Sequence, residues 1–281
     1  MNTIKKATIL LLVFVAVGCA ELKSIIDQNL GLSNDEIVAG LKEALDVGLD
    51  KSVTSASAVN GYLKNEAIKL LLPKEVKALK KEINNGSVTL LSGAVNVPYS
   101  KILDTYVSLD PNLDEDPFNE LVVAMNRGAE KAAKKAVPIF GSAIRNMSFS
   151  DALGILQGGN QSATDYFYSK TKTDLEGAFR PEIKQALSQT KATDIYGSVA
   201  KFVNYEYEVN YLINTYTIDV SDHLKTNEFP ATLDGYATEK AIDGLFYLIG
   251  KEEQKIRASP MDYASAIIRK VFSSDEAQSG S

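Results

Sequence analysis

Leu121, Val122, Met125, Ala129, Ala132, Ala133 and Ala136 recur at helical spacing along one run of this chain. A stripe of that period buries as a helix and does not fit a half-buried strand. Its alanines also demand a second helix at close range, because interiors are filled to crystal-like density. The same periodicity returns in Ile37, Leu41, Ala44, Leu45 and Leu49, and in Ala237, Ala241, Leu245, Leu248 and Ile249. Ser33 and Glu36 open the first of these runs with the spacing of a capping box. Further helices are expected over 65–71, 74–83, 151–157 and 162–179, the last ended by Pro181. An aromatic-rich helix is expected around Val199–Asn214, and a final one from Pro260. Ser150 is the expected cap of 151–157. Strand alternation is weak, and no fixed-period repeat is present. The expected fold is all-α: a single domain of roughly 8–11 helices over 33–272, with an irregular insertion near 87–116 and a polar tail at 273–281.

The N-terminus carries an address. Lys5 and Lys6 precede an apolar run from Ala7 to Val17, interrupted only by Thr8. The run is too short to span a bilayer and has the length of a signal-peptide core. Gly18 then precedes Cys19, the one cysteine of the chain. Ala16-Val17-Gly18-Cys19 resembles a bacterial lipobox, with Ala16 where leucine is usual. The expectation is a signal peptide over 1–18, a lipid on Cys19 and a tether over 19–32. No aspartate follows Cys19, which points to the outer membrane. Several acyl chains give the stable anchoring that one chain does not.

Composition narrows the function. Removing residues 1–18, which hold two lysines and no acid, takes the formal net charge from −6 to −8. An acidic chain lacks the electrostatic footprint of a nucleic-acid binder. It also has no polybasic run for anionic headgroups. With Cys19 committed to lipid, no disulfide forms, and the length buries a core that dispenses with one. His223 is the sole histidine, which excludes His-rich metal sites. There is no P-loop, nucleophile elbow or paired-cysteine site. No cofactor and no metal is expected. Asp110, Asn112, Asp114 and Asp116 alternate like a calcium loop but lack its glycine and its terminal glutamate.

Several blocks carry a family pattern. Gly40-Leu41-Lys42-Glu43-Ala44-Leu45 leads to Gly61-Tyr62, Asn65 and Leu70-Leu71-Leu72-Pro73. Met125-Asn126-Arg127-Gly128-Ala129-Glu130 precedes Pro138-Ile139-Phe140, Asp151-Ala152, Ile155-Leu156-Gln157-Gly158 and Ala163-Thr164-Asp165-Tyr166. Glu252-Glu253, Ile256-Arg257 and Pro260 close the series. This resembles the bacterial domain-of-unknown-function family numbered 4197. The resemblance implies an exported, mostly helical protein, often a lipoprotein, and supplies no catalytic residues. Two features depart from it: 87–116 is longer than the usual connection, and Tyr263 stands where an arginine is usual.

The polar residues of these blocks form the candidate cluster: Asn126, Arg127, Glu130, Asp151, Asp165, Glu253 and Arg257. Arg127 with Glu130 and Glu253 with Arg257 are spaced to pair on helix faces. Together they read as inter-helix bridges or as a polar pocket. Phe202, Tyr205, Tyr207, Tyr211 and Tyr216 read as core or as an apolar ligand cleft. The expected function is a non-enzymatic, lipid-anchored envelope module that binds a partner protein or an apolar ligand. The alternative is an envelope hydrolase using Asp151, Asp165 or Glu253. It requires two carboxylates converging in a pocket.

Overall fold

A computed structural model describes residues 32–113, 116–224 and 232–278. The signal peptide, Cys19, all of the tether but Leu32, and Asp114 lie outside the described residues.

Ser33 caps the first helix, α1 (Asn34–Ser57), as expected: its hydroxyl accepts from the Glu36 amide at 3.3 Å, and Glu36 accepts from the Ser33 amide at 3.0 Å. After α2 (Lys74–Asn85) come β1 (Ser87–Leu90) and β2 (Val95–Pro98), an antiparallel pair with Val88 opposite Val97. Then follow α3 (Tyr99–Leu109), α4 (Pro117–Ala133), α5 (Ala136–Arg145), α6 (Phe149–Leu156) and α7 (Ser162–Gln189). Next are α8 (Ala192–Phe202), a second antiparallel pair β3 (Glu206–Tyr211) and β4 (Asn214–Asp219), and the short α9 (Val220–His223). The chain closes with α10 (Leu233–Ala258), α11 (Ala266–Phe272) and α12 (Asp275–Gln278). The protein is a mostly helical single domain, with twelve α-helices among the described residues.

The core is built where α4 lies on α7, α7 on α10, and α10 on α1. Phe140 sits edge-on to Phe167 and Phe246, with ring centroids 5.3 and 5.7 Å away, a favourable aromatic geometry. Small residues set the approach distances. A Cβ on Gly40 would fall 2.5 Å from Cγ2 of Val271, so glycine is what lets α11 lie against α1. The alanine stripe of α4 is fully buried, and its Gly128 faces Ile183 and Ala186 of α7.

Seven local expectations are corrected. Residues 65–71 form turns, not a helix. So short a run does not sustain a helix alone: the Asn65 carbonyl accepts from the Ile68 and Lys69 amides in local turns, and Asn126 of α4 takes the Leu70 amide and carbonyl. Of the expected irregular insertion, residues 87–109 build β1, β2 and α3. The expected aromatic helix ends at Phe202, and 206–219 is a hairpin, because the tyrosines alternate with polar residues at period two. Ser148, not Ser150, caps α6, its hydroxyl accepting from the Asp151 amide at 3.1 Å. After Pro260 the chain makes a 3₁₀ turn, and α11 starts only beyond Ser265. The tail begins with a helical turn, α12.

The seventh is Pro181, which does not end its helix. α7 runs through it to Gln189. A proline nitrogen cannot donate to the carbonyl four residues back, here that of Gly177. Gly177 is exposed and would have open space even around a Cβ, so water reaches the freed carbonyl.

Candidate functional site

The seven polar candidates do not share one pocket. They form two separate clamps, and two of the seven stand apart.

The first clamp projects from α4 and holds the irregular segment after α1. Asn126, fully buried, accepts from the Leu70 amide at 2.9 Å and donates to the Leu70 carbonyl at 2.8 Å. Glu130 accepts from the amides of Tyr62 and Leu63 at 3.3 and 3.2 Å and from Arg127 at 2.7 Å. Arg127 also donates to the Asn60 side chain at 3.0 Å. These contacts satisfy backbone groups that no helix or strand satisfies, which buried peptide groups require.

The second clamp projects from α10. Glu253 accepts from the amides of Ala163 and Thr164, both at 2.9 Å, and from the Thr164 hydroxyl at 2.7 Å. Those amides belong to the first turn of α7, whose own N-cap residue, Gln161, makes no side-chain capping bond. Glu253 therefore caps α7 from another helix. Arg257 donates to Glu253 at 3.0 Å and to the carbonyls of Ile155 and Leu156 at 2.7 and 3.2 Å. Those carbonyls end α6. The carboxylate thus meets the positive end of one helix, and the guanidinium the negative end of the other.

Asp151 completes the capping box of α6 with Ser148 at 2.6 Å. Hydrogen bonds from the Ser148 hydroxyl and amide hold its carboxyl below the ordinary range. Asp165 is exposed on α7. Among these residues no two carboxylates converge in a pocket.

A cluster outside the seven occupies a wide cleft between the C-terminal parts of α1 and α10. Glu252 is 7% exposed and accepts from Lys51 at 2.8 Å, Lys255 at 3.1 Å and the Tyr263 hydroxyl at 2.8 Å. Burial pushes its carboxyl up, but the bonds from Lys51, Tyr263 and Lys255 outweigh this and hold it below the ordinary range. Burial and the bond to Glu252 push the Tyr263 phenol up. Lys51 also sits over the Tyr263 ring, 4.2 Å from its centroid. Lys251, Ser55, Ser259 and Asp262 complete the rim of a space of about 580 Å³. The Glu252–Lys255 spacing was visible in the sequence. Lys51, two hundred residues earlier, was not connected to it by any local signal.

The aromatic group does not form a ligand cleft. Phe202 is core, while Tyr205, Tyr207, Tyr211 and Tyr216 lie on or beside the β3–β4 hairpin. One face of this hairpin carries Tyr207, Val209, Tyr211, Tyr216 and Ile218; the other carries Glu206, Glu208, Asn210, Thr215 and Thr217. Ile218, Tyr207 and Val209 pack on the core, and the apolar face then runs past it. At the tip, Leu212 and Ile213 are 87% and 98% exposed, and Leu212 holds a φ of 58°. Positive φ at a leucine is a strained backbone state. The apolar space between Leu41, Ala44, Phe167 and Phe272 is only about 20 Å³, which is room for one water and not for a ligand.

The remaining sequence candidates have local roles. Asp110 accepts from the Asn112 amide at 2.9 Å, and Asp116 caps α4 through the Asn119 amide at 3.0 Å. His223 is exposed beside Asp219, whose carboxylate caps α9 through the Ser221 amide. Among the described residues no helix is long and apolar enough to cross a membrane.

No curated protein and no solved structure matches the chain. A family model described as a protein of unknown function, DUF4197, matches residues 31–96 and 111–273. The matched blocks include both clamps, and the break between them falls on α3 and the end of β2. The chain belongs to the DUF4197 family.

Proposed function

We propose that this chain is a lipid-anchored envelope protein that acts as a docking module for a partner protein, with the β3–β4 hairpin as its working surface. The observation that carries this reading is the tip: two aliphatic side chains held almost fully in water on a strained turn. Neither the core nor the turn needs them there. The hairpin has no lysine or arginine and carries Glu206 and Glu208 on its polar face. It is also a two-stranded sheet, so its outer strand edges have no ladder partner within it. A fitting partner offers an apolar recess for Leu212 and Ile213, basic side chains opposite the glutamates, and a strand or loop for a free edge.

The envelope hydrolase is the weaker reading, because Glu130 and Glu253 are engaged by backbone amides and arginines, Asp151 is a cap and Asp165 stands alone. Apolar-ligand binding is weakened by the filled core.

Two measurements test the proposal. Mass spectrometry of protein from native membranes is expected to find an acylated N-terminal Cys19; an unmodified thiol sinks the anchor. A photo-crosslinking residue at Ile213 is expected to give one discrete protein adduct in the envelope, lost on Leu212→Asp. An adduct pattern no different from that of a probe at the exposed Lys184 removes the hairpin as docking surface.

A further inference from the structure

We propose that the cleft around Glu252 binds a phosphate group. The fold builds there what the sequence lacks, a basic cluster on an acidic protein. Lys51 of α1 and Lys251 and Lys255 of α10 face the same space, opposed only by Glu252 and Asp262. The acid at the floor does not extinguish this charge. It takes one hydrogen bond from each of Lys51 and Lys255, while every ammonium has three donors. Their side chains remain 52% and 69% exposed, so the other donors are open to the cleft. Glu252 instead fixes their positions, and the Tyr263 ring fixes Lys51 a second time. Ammonium groups held in place before the ligand arrives lose less freedom on binding. The point charge of lysine suits phosphate. The hydroxyls of Ser55 and Ser259 line the same rim and add neutral donors. At about 580 Å³ the cleft admits a phosphate and part of whatever carries it.

Soluble molecules and lipid headgroups both carry such a phosphate, and the chemistry recognised is the same. The test is calorimetric titration of the protein with inorganic phosphate at fixed ionic strength, and sedimentation with phosphatidylglycerol or phosphatidylcholine vesicles. Saturable phosphate binding is expected, weakened about tenfold or more in the Lys51→Gln, Lys255→Gln double variant, since each lysine contributes a charge-assisted bond. Both lysines are exposed, and a thermal melt checks that the double variant stays folded. Lysine-dependent binding to phosphatidylglycerol vesicles alongside phosphate identifies a headgroup; phosphate binding without vesicle binding identifies a soluble ligand. No saturable binding to either, or binding that the double variant retains in full, overturns the proposal.

Discussion

Glu252 and Glu253 are adjacent on α10 and equally buried, yet they serve opposite ends. Glu253 turns inward and is consumed by structure: two amides, a hydroxyl and a guanidinium use its oxygens. Glu252 turns toward a cleft, and all its partners are side chains, two of them half-exposed lysines. A buried carboxylate that answers backbone belongs to the fold. One that organises exposed cations is available for something else. Burial alone does not separate the two; the identity of the donors does.

The comparison is most easily broken at Glu253. Replacing it with alanine leaves Arg257, whose side chain is 10% exposed, without its carboxylate, and removes the cap of α7. A loss of about 3–5 kcal/mol in urea unfolding is expected, as for one partner removed from a buried pair. A loss as small as that of the Glu252 variant erases the distinction between the two faces. Asn126→Ala orphans the amide and carbonyl of Leu70 and should cost about 2–3 kcal/mol, which places the α4 clamp in the same structural class as Glu253. Glu252→Gln should cost less, about 1 kcal/mol or below at neutral pH, because its lysines stay solvated.

The pH dependence sharpens the Glu252 case. Its folded pKa lies below the ordinary value, so its contribution is complete above the unfolded pKa, about 4.3. It is lost as pH falls through the folded value. Wild type and Glu252→Gln should therefore converge in stability below that point, and parallel curves would contradict the network. The smallest effect belongs to the hairpin. Leu212→Gly relieves the positive φ while loosening the unfolded chain, so its net change should stay within about 0.5 kcal/mol. A larger loss would mean that the tip serves the fold and not a partner.

Much of the architecture was legible because it rests on local patterns. Ser33 with Glu36 announced α1, the alanine stripe announced α4, and the stripe from Ala237 to Ile249 announced α10. The failure at 65–71 has a nonlocal cause. Nothing near 60–71 says that Glu130 will take the amides of Tyr62 and Leu63 and Asn126 that of Leu70. The hairpin did leave a local trace, since Tyr205, Tyr207, Val209 and Tyr211 alternate, but their aromatic bulk read equally well as a helical stripe. For the candidate cluster, spacing identified the pairs Arg127–Glu130 and Glu253–Arg257 correctly. It did not say that they face different parts of the chain. Lys51 lay beyond any local reading.

Pro181 gives the long helix a seam. One rung of the hydrogen-bond ladder is missing at Gly177, and the turns on either side are held by different neighbours. The first turn of α7 is fastened by Glu253, while Ile183 and Ala186 rest against Gly128 of α4. A fluctuation that frays one part has a natural stopping place at the proline. Amide exchange should accordingly resolve this continuous helix into two cooperative units with separate protection, so that motion near the α10 cleft need not travel the full length of the molecule.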